Sequence, residues 1–432
     1  MRLVFILKFR FLFIVSLLIA AASPARSADL HIDIERLESS RTPLGVLGFE
    51  TEPGAESEVK SVRDILMMDL KRSLAFQLTD LSQYPSSKNL SPEDVKKIAG
   101  DRIEIVLTGK IKKEGDQFKL NAALYNGKTG KWMWERVFGG SKTNLRMISH
   151  RTSDKIVYQL TGEEGIAQTE IAYVSDTGGS KEIYRMDYDG YNPRLLTLNH
   201  TINLFPRWSP DGTRISYTSY IDRNPDIWIM DITTSKRWKV ASGGLKLSPV
   251  WYPDGRRILF AASVEGQTQL FTGIEDGKNI QRLMFSIGND LSPSFSPKGD
   301  QVVFNSDRGG APQLYLMNND GTNVRRLTFE GEYNTTPSWS PKGDWIAYTC
   351  RTDNRLQICL ISPDGQKKVN LSSNRYEDES PGWAPDGRHL VFSSNRDGKA
   401  NVYMMTSEGT EIERLTQTGG SFIDPAWSPV RH

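Results

Sequence analysis

Apolar positions along this chain fall into two regimes that meet near residue 165. Before it, two periodicities alternate. Residues 42–49 (TPLGVLGF) form a short apolar run that reads as a buried strand. Over 59–78 the apolar positions Val62, Ile65, Leu66, Leu70 and Leu74 recur at helical spacing, which predicts a helix. Ser91-Pro92-Glu93-Asp94 is a helix opening: a capping serine, proline at the first helical position, then acids at the positive end of the helix dipole. Residues 103–112, 117–125 and 131–138 alternate as strands, with Glu114-Gly115-Asp116 and Asn126-Gly127 as turns. A last helix is predicted over 145–160. Strands and helices mixed in this order predict a small α/β layer domain over residues 28–160. The polar stretch 161–169 (TGEEGIAQT) is expected to be a hinge-like linker.

From residue 170 to 432 everything repeats. Pro-x-[Trp/Phe]-[Ser/Tyr/Ala]-Pro occurs six times, with its aromatic at Trp208, Trp251, Phe295, Trp339, Trp383 and Trp427, spaced 43, 44, 44, 44 and 44 residues apart. Each unit holds a first strand (171–175, 215–219, 302–306, 346–350, 390–394) and a second (183–186, 227–230, 314–317, 358–361, 402–405). An acid-glycine turn such as Asp320-Gly321 and a third strand carrying a pair such as Leu327-Thr328 follow. Then comes the Pro-x-Trp strand. Four strands per unit at a period near 44 predict a six-bladed β-propeller, making the chain mainly β with an α/β N-terminal domain. The first unit lacks a Pro-x-Trp strand before it, and Pro425-Ala426-Trp427-Ser428-Pro429 has no hairpin partner after it. Pairing the C-terminal strand into the first unit closes the ring and removes two exposed edges. The recurring aromatic is expected to pack between blades, where burying a Trp is worth up to about 4–6 kcal/mol at ~25 cal/mol per Å².

Composition changes this picture in three places. Arg2, Lys8 and Arg10 precede an apolar run at 11–22 and a small-x-small site at Ala25-Arg26-Ser27, so residues 1–27 read as a secretory signal peptide. That run is too short to span a bilayer comfortably, and no longer one follows, so no transmembrane segment is expected in the mature chain. Removing it lowers Lys plus Arg from 54 to 50 against 52 acids and moves the net charge from +2 to −2, leaving no global pull toward nucleic acid. The two cysteines, Cys350 and Cys359, share one hairpin in an exported chain. The strand register, which sequence does not fix, decides between a disulfide and two unpaired buried thiols.

No Gly-x-Ser-x-Gly elbow and no His-Glu-x-x-His occur, and the five histidines are scattered, so no catalytic, cofactor or metal site is assigned. Variation, and with it function, is expected in the loops just before each Pro-x-Trp, gathered on one rim. The candidate partner contacts there are Leu245, Ser248, Asp290, Leu291, Ser292, Asn334, Thr336, Glu377, Glu379, Ser380 and Asp424. They mix apolar groups with acids and amides, as a protein-docking surface does. A second set of charged residues (Asp222-Arg223, Asp307-Arg308, Thr352-Asp353, Arg396-Asp397) reads as turn and salt-bridge positions.

Arg41-Thr42-Pro43-Leu44-Gly45-Val46, Leu160-Thr161-Gly162-Glu163 leading into Ile171-Ala172-Tyr173-Val174, and Asp187-Tyr188-Asp189-Gly190-Tyr191-Asn192 together with the six Pro-x-Trp units resemble the TolB family, periplasmic components of the Tol–Pal envelope system of Gram-negative bacteria. The resemblance covers essentially the whole mature chain. It implies a non-enzymatic periplasmic protein that binds the peptidoglycan-associated lipoprotein Pal on the propeller rim, with other outer-membrane-associated proteins as further partners. It also implies communication with TolA and support of outer-membrane constriction during division. It implies too a mobile arm at 28–36 that tunes the choice of partner. There Ala28, Leu30, Ile32 and Ile34 alternate with polar residues as in a strand. Two other readings are the propeller gate of a peptidase-like hydrolase, for which 28–160 is too short to hold the catalytic domain, and a propeller binding a small ligand in its channel.

Overall fold

The computed structural model describes residues 41–51, 55–86, 90–417 and 419–431. The expected signal peptide, its cleavage site and the arm with Ala28, Leu30, Ile32 and Ile34 lie outside the described residues.

The N-terminal domain is a six-stranded sheet with helices on both faces. Thr42–Gly48 lies inside it, parallel to Phe76–Pro85 on one side and Ile105–Glu114 on the other. Gln117–Asn126 and Trp132–Ser141 extend the sheet antiparallel, and Glu50–Thr51 adds a short pairing on Ile105–Glu114. Helices α1 (Glu56–Arg72) and α3 (Leu145–Thr161) cover one face, where Leu44, Val46, Leu66, Leu70, Leu107 and Ile156 form the core. Helix α2 (Pro92–Ala99) covers the other, over Leu47, Ile103 and Val106. Its start follows from the sequence: the Ser91 side chain accepts from Asp94 N, and the Asp94 carboxylate accepts from Ser91 N.

The helix expected over 59–78 stops six residues early. Ser73 ends α1 and Leu74 takes φ +57°, which turns the chain so that 76–85 becomes a strand. Phe76 and Leu78 continue the helical stripe by spacing, but they are also two apart, which suits a strand just as well. The segment 162–169 is pinned at its far end. Ile166 and Ala167 are buried, and the Asp154 carboxylate accepts from Ala167 N (2.9 Å), Gln168 N (3.0 Å) and Gln168 Nε2 (2.9 Å).

The rest is the six-bladed propeller, each blade a four-stranded antiparallel sheet. Numbered in chain order, blade 1 starts at Glu170, blade 2 at Asn203, blade 3 at Lys246, blade 4 at Asp290, blade 5 at Asn334 and blade 6 at Asp378. Phe422–Trp427 enters blade 1 as its innermost strand, antiparallel to Glu170–Ser175, with Phe422 opposite Ser175 and Trp427 opposite Ile171. The ring therefore closes as the matched ends of the repeat require.

The recurring aromatics sit between blades, as expected. The Trp208 indole N–H donates to Ala426 O in blade 1 at 3.0 Å, Trp251 to Arg207 O in blade 2 at 3.2 Å, and Trp383 to Ser338 O in blade 5 at 3.0 Å. The six aromatics and the prolines beside them line one mouth of the central channel. The acid-glycine turns are structural too. Gly190 has φ +87°, and a Cβ there would stand 2.3 Å from Leu415 O of blade 6. Cys350 and Cys359 are disulfide-bonded inside the core of blade 5, with Cα atoms 5.9 Å apart.

The N-terminal domain rests on the channel end where the inner hairpins and acid-glycine turns lie. Asp69 of α1, almost fully buried, accepts from Tyr188 Oη of blade 1 (2.5 Å) and from Ser153 Oγ of α3 (2.8 Å), and pairs with His150 Nδ1 (2.8 Å). Arg72 bonds Glu413 of blade 6 at 2.5 Å, and Arg146 bonds Asp189. Among the described residues, no helix is long and apolar enough to cross a membrane.

Candidate functional site

The N-terminal domain leaves the opposite end of the propeller open. Each innermost strand begins there and runs down the channel wall toward the aromatic ring. The segments expected to be rim loops are therefore the leading halves of these strands, which is a correction to the sequence reading. They end in a device repeated in every blade. Phe205, Ser248, Ser292, Thr336, Ser380 and Asp424 have φ between +47° and +55°, and each precedes a proline. The pairing with the neighbouring strand slips at the same place in all six. A proline disfavours the right-handed helical region for the residue before it, and the extra residue of a bulge needs a turn. The left-handed conformation meets both demands.

The eleven expected contacts separate by what their side chains do. Asp290 is fully buried, with Arg308 Nη2 donating to it at 2.7 Å; Asp378 and Arg396 repeat this pair in blade 6. Asn334 is buried as well, its amide N–H donating to Gln313 Oε1 and Glu330 O, both at 2.9 Å. Asp290 is locked within blade 4 and Asn334 ties blade 5 to blade 4, so neither is presented to a partner, and both are corrected as contacts. Ser248 is buried at its bulge, and Leu291 packs half-buried against the core shared by blades 3 and 4. Glu377 accepts from Leu356 N at 2.7 Å, and Thr336 Oγ1 is 2.7 Å from Thr349 Oγ1. Leu245 and Ser292 are half-buried.

Glu379, Ser380 and Asp424 come together across blades 6 and 1, with Ser380 Oγ 3.4 Å from Asp424 Oδ1. Burial pushes the Glu379 carboxyl above the usual range, and the charges of Asp424 and Glu377 push it further. Burial raises Asp424 as well, opposed by the Arg207 guanidinium. That guanidinium is itself lowered by burial and supported by Asp424. One sector of the channel wall thus carries acids short of counter-charge.

The sequence reading missed the apolar residues of the open rim. Phe285 is 81% exposed, Ile287 82%, Phe329 73% and Leu198 61%. The Arg282 guanidinium lies 3.8 Å from the Phe285 ring centre, and that of Arg326 lies 5.2 Å from Phe329. The signal was present. In blades 1, 3 and 4 the pair after the outer strand (Leu196-Thr197, Leu283-Met284, Leu327-Thr328) is followed by Leu198, Phe285 and Phe329, but in blades 5 and 6 the corresponding pair (Leu371-Ser372, Leu415-Thr416) is followed by Ser373 and Gln417. The rim is therefore apolar over one arc and polar over another.

Two family profiles match the chain: the TolB beta propeller domain over residues 157–431 and the TolB amino-terminal domain over residues 30–132. The chain belongs to the TolB family. It is 32% identical over 287 residues to the Tol-Pal system protein TolB of Desulfosudis oleivorans, covering 65% of this chain and 66% of that one. It is also 32% identical over 232 residues to that of Roseobacter denitrificans, covering 52% of each. The match thus spans between half and two thirds of these relatives' length. The crystal structure of TolB from Acinetobacter baumannii superposes with a TM-score of 0.76 at 24% identity, covering 90% of this chain and 97% of that one, which establishes the shared two-domain fold.

Proposed function

We propose that this TolB-family chain is a non-enzymatic docking scaffold of the Tol–Pal system in the periplasm. It binds the peptidoglycan-associated lipoprotein Pal on the open rim and communicates with TolA, maintaining the outer membrane during constriction at division. The observation that carries this reading is the exposure of Phe285, Ile287 and Phe329, from the adjacent blades 3 and 4, on the face the N-terminal domain leaves free. Exposed aromatics flanked by arginines are the residue types that dominate protein interfaces. The acids Glu379 and Asp424 at the channel wall add a place for a donor or cationic group of the partner.

The arm is proposed as the TolA-directed element. Arg41, where the described chain begins, lines a cleft of about 470 Å³ between the domains together with Trp345 and Arg388.

Calorimetric titration with the soluble domain of Pal from the same organism tests the reading. Saturable one-to-one binding is expected, weakened at least tenfold in a Phe285→Asp, Phe329→Asp double variant that melts like the parent. Full affinity in that variant, or no binding to the parent, would overturn it.

A further inference from the structure

A cavity of about 400 Å³ opens between α3, the start of blade 1 and the turn at Ile232-Thr233 of blade 2. It lies on the side of the propeller away from the proposed Pal rim. Three guanidinium groups reach it: Arg185 and Arg194 from blade 1 and Arg431 from the segment after the closing strand. All three converge on one carboxylate. Arg185 Nη1 donates to Glu170 Oε2 at 3.0 Å, Arg431 Nη2 donates to the same oxygen at 2.7 Å, and Arg194 Nη1 stands 3.9 Å from Oε1.

One carboxylate cannot occupy that many donors. A guanidinium has five N–H groups in a fixed fork, so most of those around Glu170 are left over. The Asn192 side-chain oxygen, with its amide turned to suit, takes up one side of Arg194. Arg185 Nε is buried without a partner, and so is Nε2 of His150, whose imidazole lines the cavity and is held by Asp69 at its other nitrogen. A buried polar atom left unpaired forfeits its hydration without compensation, which a ligand atom placed there would restore. The other acid of the cavity, Asp187, has its carboxyl raised by burial first and by Asp189 next, while Arg194 and His150 pull it down.

We infer that this cavity is a binding site for a small anion bearing a carboxylate or phosphate group, held in the forks of Arg194 and Arg431. The size falls in the range of small-molecule sites, about 300–1,000 Å³. Planar, bidentate recognition of carboxylate and phosphate is what arginine does better than lysine. Both heads are accessible, with side chains 45% and 40% exposed. An occupant would touch α3 and blades 1 and 2 at once, so its binding ties the two domains together.

Thermal-shift and calorimetric titrations of the whole protein with inorganic phosphate, with succinate, and with sodium chloride at matched ionic strength test this. The expected result is a saturable shift with phosphate or succinate beyond that of chloride, weakened tenfold or more in Arg194→Gln and in Arg431→Gln and partly restored in Arg194→Lys. Phosphate alone binding identifies a phosphate ligand, and succinate alone identifies a carboxylate. Shifts no larger than with chloride for both probes would overturn the proposal. So would a shift unchanged in the two glutamine variants. Unligated melting temperatures of the variants serve as the check on folding, and His150→Gln supplies a second reading on the far wall. These outcomes are independent of Pal binding at the opposite rim.

Discussion

Removing the Tyr188 hydroxyl should loosen the domain junction measurably without disturbing either core. Tyr188 is fully buried, and its Oη donates to Asp69 Oδ1 at 2.5 Å across the junction. Burial and the neighbouring Asp69 charge push the phenol far above its ordinary range, so it stays a donor at every physiological pH. Phenylalanine keeps the ring, its edge-on packing against His150 and the Arg72 guanidinium 5.5 Å from its centre. Only the hydrogen bond is lost. A hydrogen bond to a charged group is worth about 1.5–3 kcal/mol, and Asp69 retains Ser153 and His150, so the lower half of that range is expected. Urea unfolding of Tyr188→Phe should show a loss of about 1.5–2 kcal/mol, with the N-terminal domain melting ahead of the propeller. A double-mutant cycle with Asp69→Asn should show coupling, because the second change acts on the same contact. A loss under about 0.5 kcal/mol, or additivity in the cycle, would refute the reasoning.

Three further expectations follow from the same structure. Asp154 is raised to about 6, chiefly by burial and against the pull of Gln168 and Ala167. A carboxyl raised in the folded state contributes most below its unfolded value near 3.9, and that contribution is lost as pH climbs through about 6. The stability of the parent relative to Asp154→Asn should therefore fall by about 2–3 kcal/mol between pH 4 and 7; a flat difference contradicts it. Replacing Cys350 and Cys359 with alanine opens a loop of sequence separation 9 and should lower stability by about 2.5–3 kcal/mol by chain entropy, read by the denaturant midpoint. At the bulge, Ser292 has φ +51°, so Ser292→Val should cost about 1–2 kcal/mol while Ser292→Gly stays within about 1 kcal/mol of the parent; equal losses would argue against the strain.

Repetition made the propeller legible. One strand pattern seen six times averages out local ambiguity, and the unmatched ends at Glu170 and Trp427 determine how the ring closes. The N-terminal domain offers no such redundancy, so Phe76 and Leu78 read as the continuation of α1 when they begin a strand. The site was legible in place but not in detail. Ser248, Ser292, Thr336, Ser380 and Asp424 mark the bulge because the proline after each constrains it, yet nothing local announces a left-handed backbone at a serine or threonine. Asp290 and Asn334 looked available because their partners, Arg308 in a turn and Gln313 on another strand, lie about twenty residues away. Phe285 and Phe329 were overlooked because an apolar residue beside an apolar strand reads as more strand. Only the completed fold shows that the chain has already turned outward there.

Hydrogen exchange of the complex with the soluble domain of Pal, read by mass spectrometry, tests the central claim most directly. The account predicts slowed exchange in peptides spanning 196–205, 283–292 and 327–336 on the open rim. The hairpins around Trp208 and Trp383 at the opposite mouth should be unchanged. Protection confined to the N-terminal domain or to the aromatic ring, with the rim unaffected, would contradict it.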